Sequence, residues 1–373
     1  MNTRPTTPAG PAPLRDGVLL DEVRERLWAA LGARDEAAAA AAVLGAHDAG
    51  APAEELLLDV IAPVQARVGA EWAAGRLGVA QEHAATAIQE RVVAALARQT
   101  PAPAPDTTAP PRRVTVACVD GEWHVLPARL LAEVLRGRGF LVDYLGAHVP
   151  TPHLIAHLHQ TGADAVALSS SLPVRLPTAH AAVTAVQAIG LPVLVGGAAF
   201  GPGGRYARLL GADGWAPDAR AAAVLLADGP HRPEGPPPDP GRALPHLLDQ
   251  EYTLVRRART RLVRETLTGL AERLPAVAAH TDRQRERTAE DLAHIVDFLA
   301  ASLYTDDAEL FTGFLTWTAE VLRARGVDPA ALLTALDLLA EAQHDFPRAR
   351  AHLAAGRRAL TSVPVPAPPG PRP

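Results

Sequence analysis

A carboxylate and an imidazole two residues apart, Glu122 and His124, stand in the segment Asp120-Gly121-Glu122-Trp123-His124-Val125-Leu126-Pro127. The apolar run before them, Val114–Val119, reads as a β-strand, so the pair sits at a strand's carboxyl end. Imidazole is a good metal donor, and a carboxylate bonded to its other ring nitrogen fixes the tautomer and raises its basicity. A second such pair, Glu82-His83, follows Trp72 after nine residues. Taken alone, that segment is a helix, a Gly-containing turn and a second helix with Trp72 in the core. His148, His153, His157 and His159 form a looser run. His153 and His157 fall one helical turn apart, which suits either a solvated helix or a divalent metal. The lone cysteine, Cys118, lies in an apolar run and reads as a buried structural thiol, which excludes a disulfide framework and a cysteine-rich metal site.

Proline-rich stretches at 101–112 and 229–241 interrupt regular structure and divide the chain into blocks. The expected boundaries are a disordered tail at 1–16, a helical bundle at 17–100, an α/β domain at 113–228, a linker at 229–244, an all-helical domain at 245–360 and a disordered tail at 361–373. In the first block Leu20, Val23, Leu27 and Leu31, then Leu56, Val60, Val64 and Val68, recur at helical spacing. The second alternates strands (Val114–Val119, Leu141–Leu145, Ala165–Leu168, Val193–Val195) with helices near Pro127–Gly139 and from Thr151 and Thr178. That order predicts a doubly wound parallel sheet, which binds ligands beyond the carboxyl ends of its strands. The third block predicts helices near His246–Leu270, Ala289–Tyr304, Ala308–Arg325, Pro329–Glu341 and Pro347–Leu360.

All 36 basic residues are Arg, which reads as coding bias, and a net charge of -5 argues against a general nucleic-acid surface. No signal-peptide core and no run of about 18 apolar residues occurs, so a cytoplasmic protein is expected.

Three ordered motifs, Glu122-x-His124-x-x-Pro127, Ser170-Ser171-Leu172 and Gly196-Gly197, resemble the Asp-x-His-x-x-Gly, Ser-x-Leu and Gly-Gly signatures of the cobalamin-binding domain shared by methionine synthase, corrinoid carriers and cobalamin photoreceptors. Glu replaces Asp, and Pro127 replaces Gly. The resemblance implies base-off binding with His124 as the lower cobalt ligand, Ser170 and Leu172 beside the displaced nucleotide tail, and Gly196 and Gly197 leaving it room. Trp72, Glu82 and His83 resemble the cap of the light-sensing cobalamin repressors. In that likeness Trp72 and Glu82 contact the adenosyl group of adenosylcobalamin, and His83 takes the upper cobalt position after light. About 16 residues precede the cap, too few for a helix-turn-helix, so direct DNA binding is not expected.

In the third block, Arg287, His294, Asp297, Tyr304 and Trp317 read either as a charged helix face with a core tryptophan or as a pocket for an acidic chromophore. The order of cap, cobalamin domain and globin-like helical tail resembles the photocobilins, which implies biliverdin held without a covalent bond. The leading expectation is therefore a non-enzymatic photoreceptor acting through a signalling partner, with a homodimer also open. The alternatives are a corrinoid methyl carrier, the cobalamin subunit of a methyltransferase or mutase, and a light-insensitive scaffold.

Overall fold

The computed structural model describes residues 16–100, 111–229 and 244–362. The tails and the linker expected from the sequence fall almost wholly outside the described residues. Two compact units emerge, one of described residues 16–72 and 77–100, the other of 73–76, 111–229 and 244–362.

The first unit is helical: α1 (Asp16–Ala33), α2 (Glu36–Asp48), a composite α3 (53–73) and α4 (Val79–Gln99). The middle of α3, Leu56–Ile61, widens into a π-helical turn. Asp35 caps α2 by accepting the Ala38 amide at 2.9 Å. Of the apolar positions at helical spacing, Val23, Leu27, Leu31, Leu56, Val60, Val64 and Val68 are buried, and Leu20 is half-buried.

In the second unit, β1 (Arg113–Cys118), β2 (Leu141–Gly146), β3 (Ala165–Ser169), β4 (Val193–Gly196) and β5 (Gly214–Ala216) form one parallel sheet in the order β2-β1-β3-β4-β5. Helices α5 (Leu126–Gly137), α6 (Thr151–Thr161), α7 (Leu176–Ala188), α8 (Arg205–Leu209) and α9 (Ala219–Asp228) alternate with the strands. The chain leaves β1 toward β2 on one side and places every later strand on the other. The loops after β1 and β3 therefore diverge and open a crevice, the usual ligand position in such sheets. β1, β3 and β4 are buried almost throughout, as central parallel strands covered on both faces must be. Register opposes Cys118 to Ser169 and Ser169 to Gly196, so three loops leave the sheet at one level.

The sequence expects the third block as a domain of its own, but it packs as part of the second unit. It contains α10 (Glu251–Arg257), α11 (Arg259–Arg273), α12 (Pro275–Ala278), α13 (Asp282–Thr305), α14 (Ala308–Ala324), α15 (Ala330–Ala342) and α16 (Pro347–Ser362). The expected helix over 246–270 is broken at Ala258, and α13 starts seven residues earlier than expected because Thr281 and Gln284 form a capping box. Leu299, Phe311, Leu315, Leu336 and Leu353 build the block's own core. Leu244, Ala301, Tyr304 and Leu310 instead join the core beneath the sheet. Tyr206 donates to Asp307 at 2.7 Å, and Arg205 pairs with the same carboxylate at 3.1 Å. No helix among the described residues is long and apolar enough to cross a membrane.

Tyr304 shows how the two cores join. Its hydroxyl lies 2.7 Å from Nδ1 of the buried His180 on α7, and its ring meets Tyr252 edge-on. Burial lowers the His180 pKa and raises that of Tyr304, so a neutral imidazole accepts from an intact phenol. Tyr304→Phe should leave that nitrogen unpaired and cost about 1–3 kcal/mol in urea denaturation. A cost near zero would show that the bond does not couple the two cores.

Candidate functional site

The three co-level loops converge on Glu122. Gly121, with φ +79°, turns the chain directly after β1, and the Glu122 amide closes the turn onto the Val119 carbonyl at 2.8 Å. The Glu122 side chain is fully buried and accepts five hydrogen bonds. Oε1 receives the His124 amide at 2.9 Å and His124 Nδ1 at 2.6 Å. Oε2 receives Ser170 Oγ at 3.1 Å, the Ser171 amide at 2.7 Å and the Leu172 amide at 3.2 Å. Burial by itself would raise this carboxyl, but the bonds from His124 and Ser171 outweigh it and bring the pKa down to about 2. The group is an anion at every physiological pH.

That anion fixes the tautomer of His124. With Nδ1–H donated to Glu122, the ring lone pair resides on Nε2, and the side chain is 56% exposed at the carboxyl end of the sheet. Helix α5 starts at Leu126 with Pro127 in its first turn, where a missing amide proton costs nothing. Proline is thus accommodated where the resembling motif has glycine. Cys118 lies behind the loop, its thiol 3.8 Å from the His124 carbonyl. Burial, then the Glu122 charge, push its pKa up to about 12, which makes it an inert core group.

The other expected residues take specific places. Ser170 is fully buried and spends its hydroxyl on Glu122, while its amide reaches the Gly196 carbonyl at 3.1 Å. Leu172 follows at the rim, about one-third exposed. Gly197 has φ +100°, and a Cβ there would lie 2.2 Å from the Ser170 carbonyl oxygen. Within the protein, then, its lack of a side chain serves the close approach of two loops.

In the helical unit, Trp72 lies in the last turn of α3, and Glu82 and His83 lie near the start of α4. Glu82 Oε2 meets His83 Nδ1 at 2.5 Å, and Oε1 accepts from Thr86 Oγ1 at 3.0 Å. Gln65 donates to Thr86 at 2.9 Å and accepts from the buried Gln89. A polar chain thus runs from the bundle core to this second carboxylate–imidazole pair. His83 is largely exposed.

The expected chromophore set does not assemble. Arg287, His294, Asp297 and Tyr304 are strung along α13, and Arg287 and Tyr304 stand about 25 Å apart at the rise of an α-helix. Arg287 and His294 are exposed, Asp297 is held by a bidentate pair with Arg259 at 2.6 and 2.9 Å, Tyr304 is committed to His180, and Trp317 lies exposed on α14. Among the described residues, no group of three His, Cys, Asp or Glu side chains is placed to hold a metal ion, the 148–159 histidines included.

Residues 112–224 match the family model described as "B12 binding domain", and residues 23–97 match a second model of the same description. The chain therefore carries a cobalamin-binding domain. Three solved structures are also similar to it. The Methanosarcina barkeri monomethylamine corrinoid protein is 18% identical over 56% of this chain and 98% of that one, with a TM-score of 0.48. A cobalamin-binding protein from Desulfitobacterium hafniense is 20% identical over 55% and 97%, with a TM-score of 0.31. The methanol:cobalamin methyltransferase complex of Methanosarcina barkeri is 17% identical over 56% and 79%, with a TM-score of 0.28. TM-scores under 0.5 place all three below fold identity. No curated protein matches.

These findings correct the expectation of a light sensor. Both matched models are described as B12 binding domains, and neither description carries a light-sensing or bilin-binding role. The photocobilin likeness, the biliverdin site, the signalling partner and the light-driven exchange to His83 fall together, and the dispersal of Arg287, His294, Asp297, Tyr304 and Trp317 gives the physical reason for the second.

The sequence motifs find Glu122, His124 and Ser170 but miss the Ser171 and Leu172 amides, because backbone donors leave no residue-type signal. They also miss the place of His148, singled out only as one of a histidine run. Its signal was position: a residue just past the end of an edge strand, before Val149-Pro150.

Proposed function

We propose that this chain is a corrinoid carrier, with His124 as the lower axial ligand of cobalt. The observation that supports it is the buried Glu122 anion holding His124 Nδ1 at 2.6 Å beside the crevice between β1 and β3. A bound corrinoid supplies a cobalt centre able to take and release a methyl group. Glu122 keeps His124 in the tautomer that ligates through Nε2 and stabilises positive charge on the ring. Ser170 and Leu172 hold Glu122, the Gly196 carbonyl accepts the Ser170 amide, and Gly197 lets the β4 loop close on Ser170. On the helical unit, Trp72, Glu82 and His83 are candidate cobalamin contacts.

The ligand-free chain is expected to retain hydroxocobalamin through gel filtration. Loaded with cob(II)alamin after its histidines are labelled with nitrogen-15, it should show the nitrogen-15 splitting of His124 in its electron paramagnetic resonance spectrum, which the cofactor's own benzimidazole cannot give. His124→Ala should abolish that splitting and weaken binding by on the order of a hundredfold. Loading with methylcobalamin and adenosylcobalamin in parallel distinguishes the upper-ligand forms. Carriage predicts demethylation of the first, in the dark, by an added corrinoid methyltransferase and a thiol acceptor. A wild-type chain that retains no corrinoid, or a His124→Ala chain that keeps the nitrogen signal, overturns the assignment.

A further inference from the structure

Besides the β3-loop donors to Glu122, a residue from the β2 loop also holds the loop that presents His124. His148 follows β2, 24 positions downstream of His124, and it touches each of the three residues before His124. The Gly121 amide donates to His148 Nδ1 at 2.9 Å. The His148 amide donates to the Glu122 carbonyl at 2.9 Å. The Trp123 ring, 68% exposed, stacks on the His148 imidazole with centroids 5.1 Å apart and planes 9° from parallel. His148 pays for this with a left-handed backbone at φ +48°, a conformation that residues other than Gly, Asn and Asp rarely adopt. Asp120 Oδ1 also lies 3.1 Å from Nδ1. One ring nitrogen cannot accept an amide proton and donate to a carboxylate at once, and the Gly121 N–H, directed at Nδ1, makes it an acceptor.

We infer that His148, with Nδ1 as the acceptor for the Gly121 amide, is the positioning residue of the cobalt-ligand loop, holding residues 121–123 so that His124 is presented at the crevice between β1 and β3. The inference rests on the corrinoid reading, but the anchor exists in the ligand-free chain and is measurable there. Glu122 fixes the tautomer of His124 from below, while His148 fixes the loop's path from the side. Removing His148 should loosen the loop without unfolding the sheet, since none of its contacts reaches the core cluster.

Two variants separate the anchor from general structure. His148→Gly keeps the left-handed backbone and removes both acceptor and ring. His148→Asn also tolerates that backbone and places Oδ1 on the atom position of Nδ1, restoring the acceptor without the stack. In the ligand-free chain, amide exchange at Gly121 is expected to quicken about tenfold in His148→Gly and to stay near wild type in His148→Asn. Loaded with cob(II)alamin, His148→Gly should lose at least half of the nitrogen-split signal, and His148→Asn should keep it. Wild-type exchange and an undiminished signal in His148→Gly overturn the inference. Equal impairment of both variants also overturns it, because the ring and not Nδ1 would then be the anchor. If the wild type itself gives no nitrogen signal, the carrier assignment fails while the exchange comparison still decides whether His148 anchors the loop.

Discussion

Glu122→Ala should destabilise the α/β unit by about 3–5 kcal/mol, the range for removing one partner from a buried charged network. The carboxylate is the common acceptor for two groups of His124 and for Ser170, Ser171 and Leu172, and of these donors the fully buried Ser170 hydroxyl has no water to turn to. Glu122→Gln is not a conservative change here. Its oxygen can still face His124, but its NH₂ would then confront three donors on the β3 loop. The pH dependence carries the same information. A carboxyl near 2 in the folded chain, against the ordinary range above 4 when unfolded, contributes stability that is complete above the unfolded value. That contribution, about 3 kcal/mol, is lost as pH falls toward the folded value. Urea denaturation between pH 5 and pH 2 should show this loss in the wild type and not in Glu122→Gln. Parallel curves for the two chains would remove Glu122 from the centre of the site.

Gly197→Ala should be nearly as damaging, although it adds a single methyl group. The new Cβ would sit 2.2 Å from the Ser170 carbonyl oxygen and 3.0 Å from its carbon, and the backbone there has φ +100°. Both contacts are to backbone, so no side chain can swing aside. The β3 loop must move, and the Ser170, Ser171 and Leu172 bonds to Glu122 move with it. The combined strain and overpacking should cost about 3 kcal/mol or more in urea denaturation and should weaken retention of hydroxocobalamin. Gly203→Ala is the matched control. It also has a positive φ, +61°, but nothing lies within 4 Å of its added Cβ, so only the backbone term of about 1 kcal/mol remains. Equal effects at the two glycines would show that close approach of the loops is not what position 197 requires.

Several elements were legible because their signals are local. The buried runs of β1, β3 and β4 are continuous apolar segments, and the amphipathic spacing of α1 and α3 falls directly on the buried positions. β5 was missed because Gly-Trp-Ala is three residues long and carries no alternation to read. The third block looked like a separate domain because proline-rich sequence precedes it. It shares a core with the sheet, through contacts such as Tyr304 to His180, 124 positions apart, that no local pattern announces. The chromophore set failed for a related reason: residue types that suit a pocket are spread over about 25 Å of α13 and onto α14, with Asp297 tied to Arg259 and Tyr304 to His180.

The chain's sequence by itself determined the pairing of Glu122 with His124. The two lie on one short loop, and a strand followed by a turn leaves an i, i+2 carboxylate–imidazole pair within reach of each other. It determined equally the alternation of strand and helix that makes a doubly wound sheet. Only the tertiary structure decided what holds that pair. Ser170, Ser171 and Leu172 arrive from 48–50 residues away, His148 arrives from another loop, and Gly197 clears the space in which the β3 loop sits. Strand order and register bring these segments to one level, and the requirement that a buried anion have every acceptor site filled keeps them there.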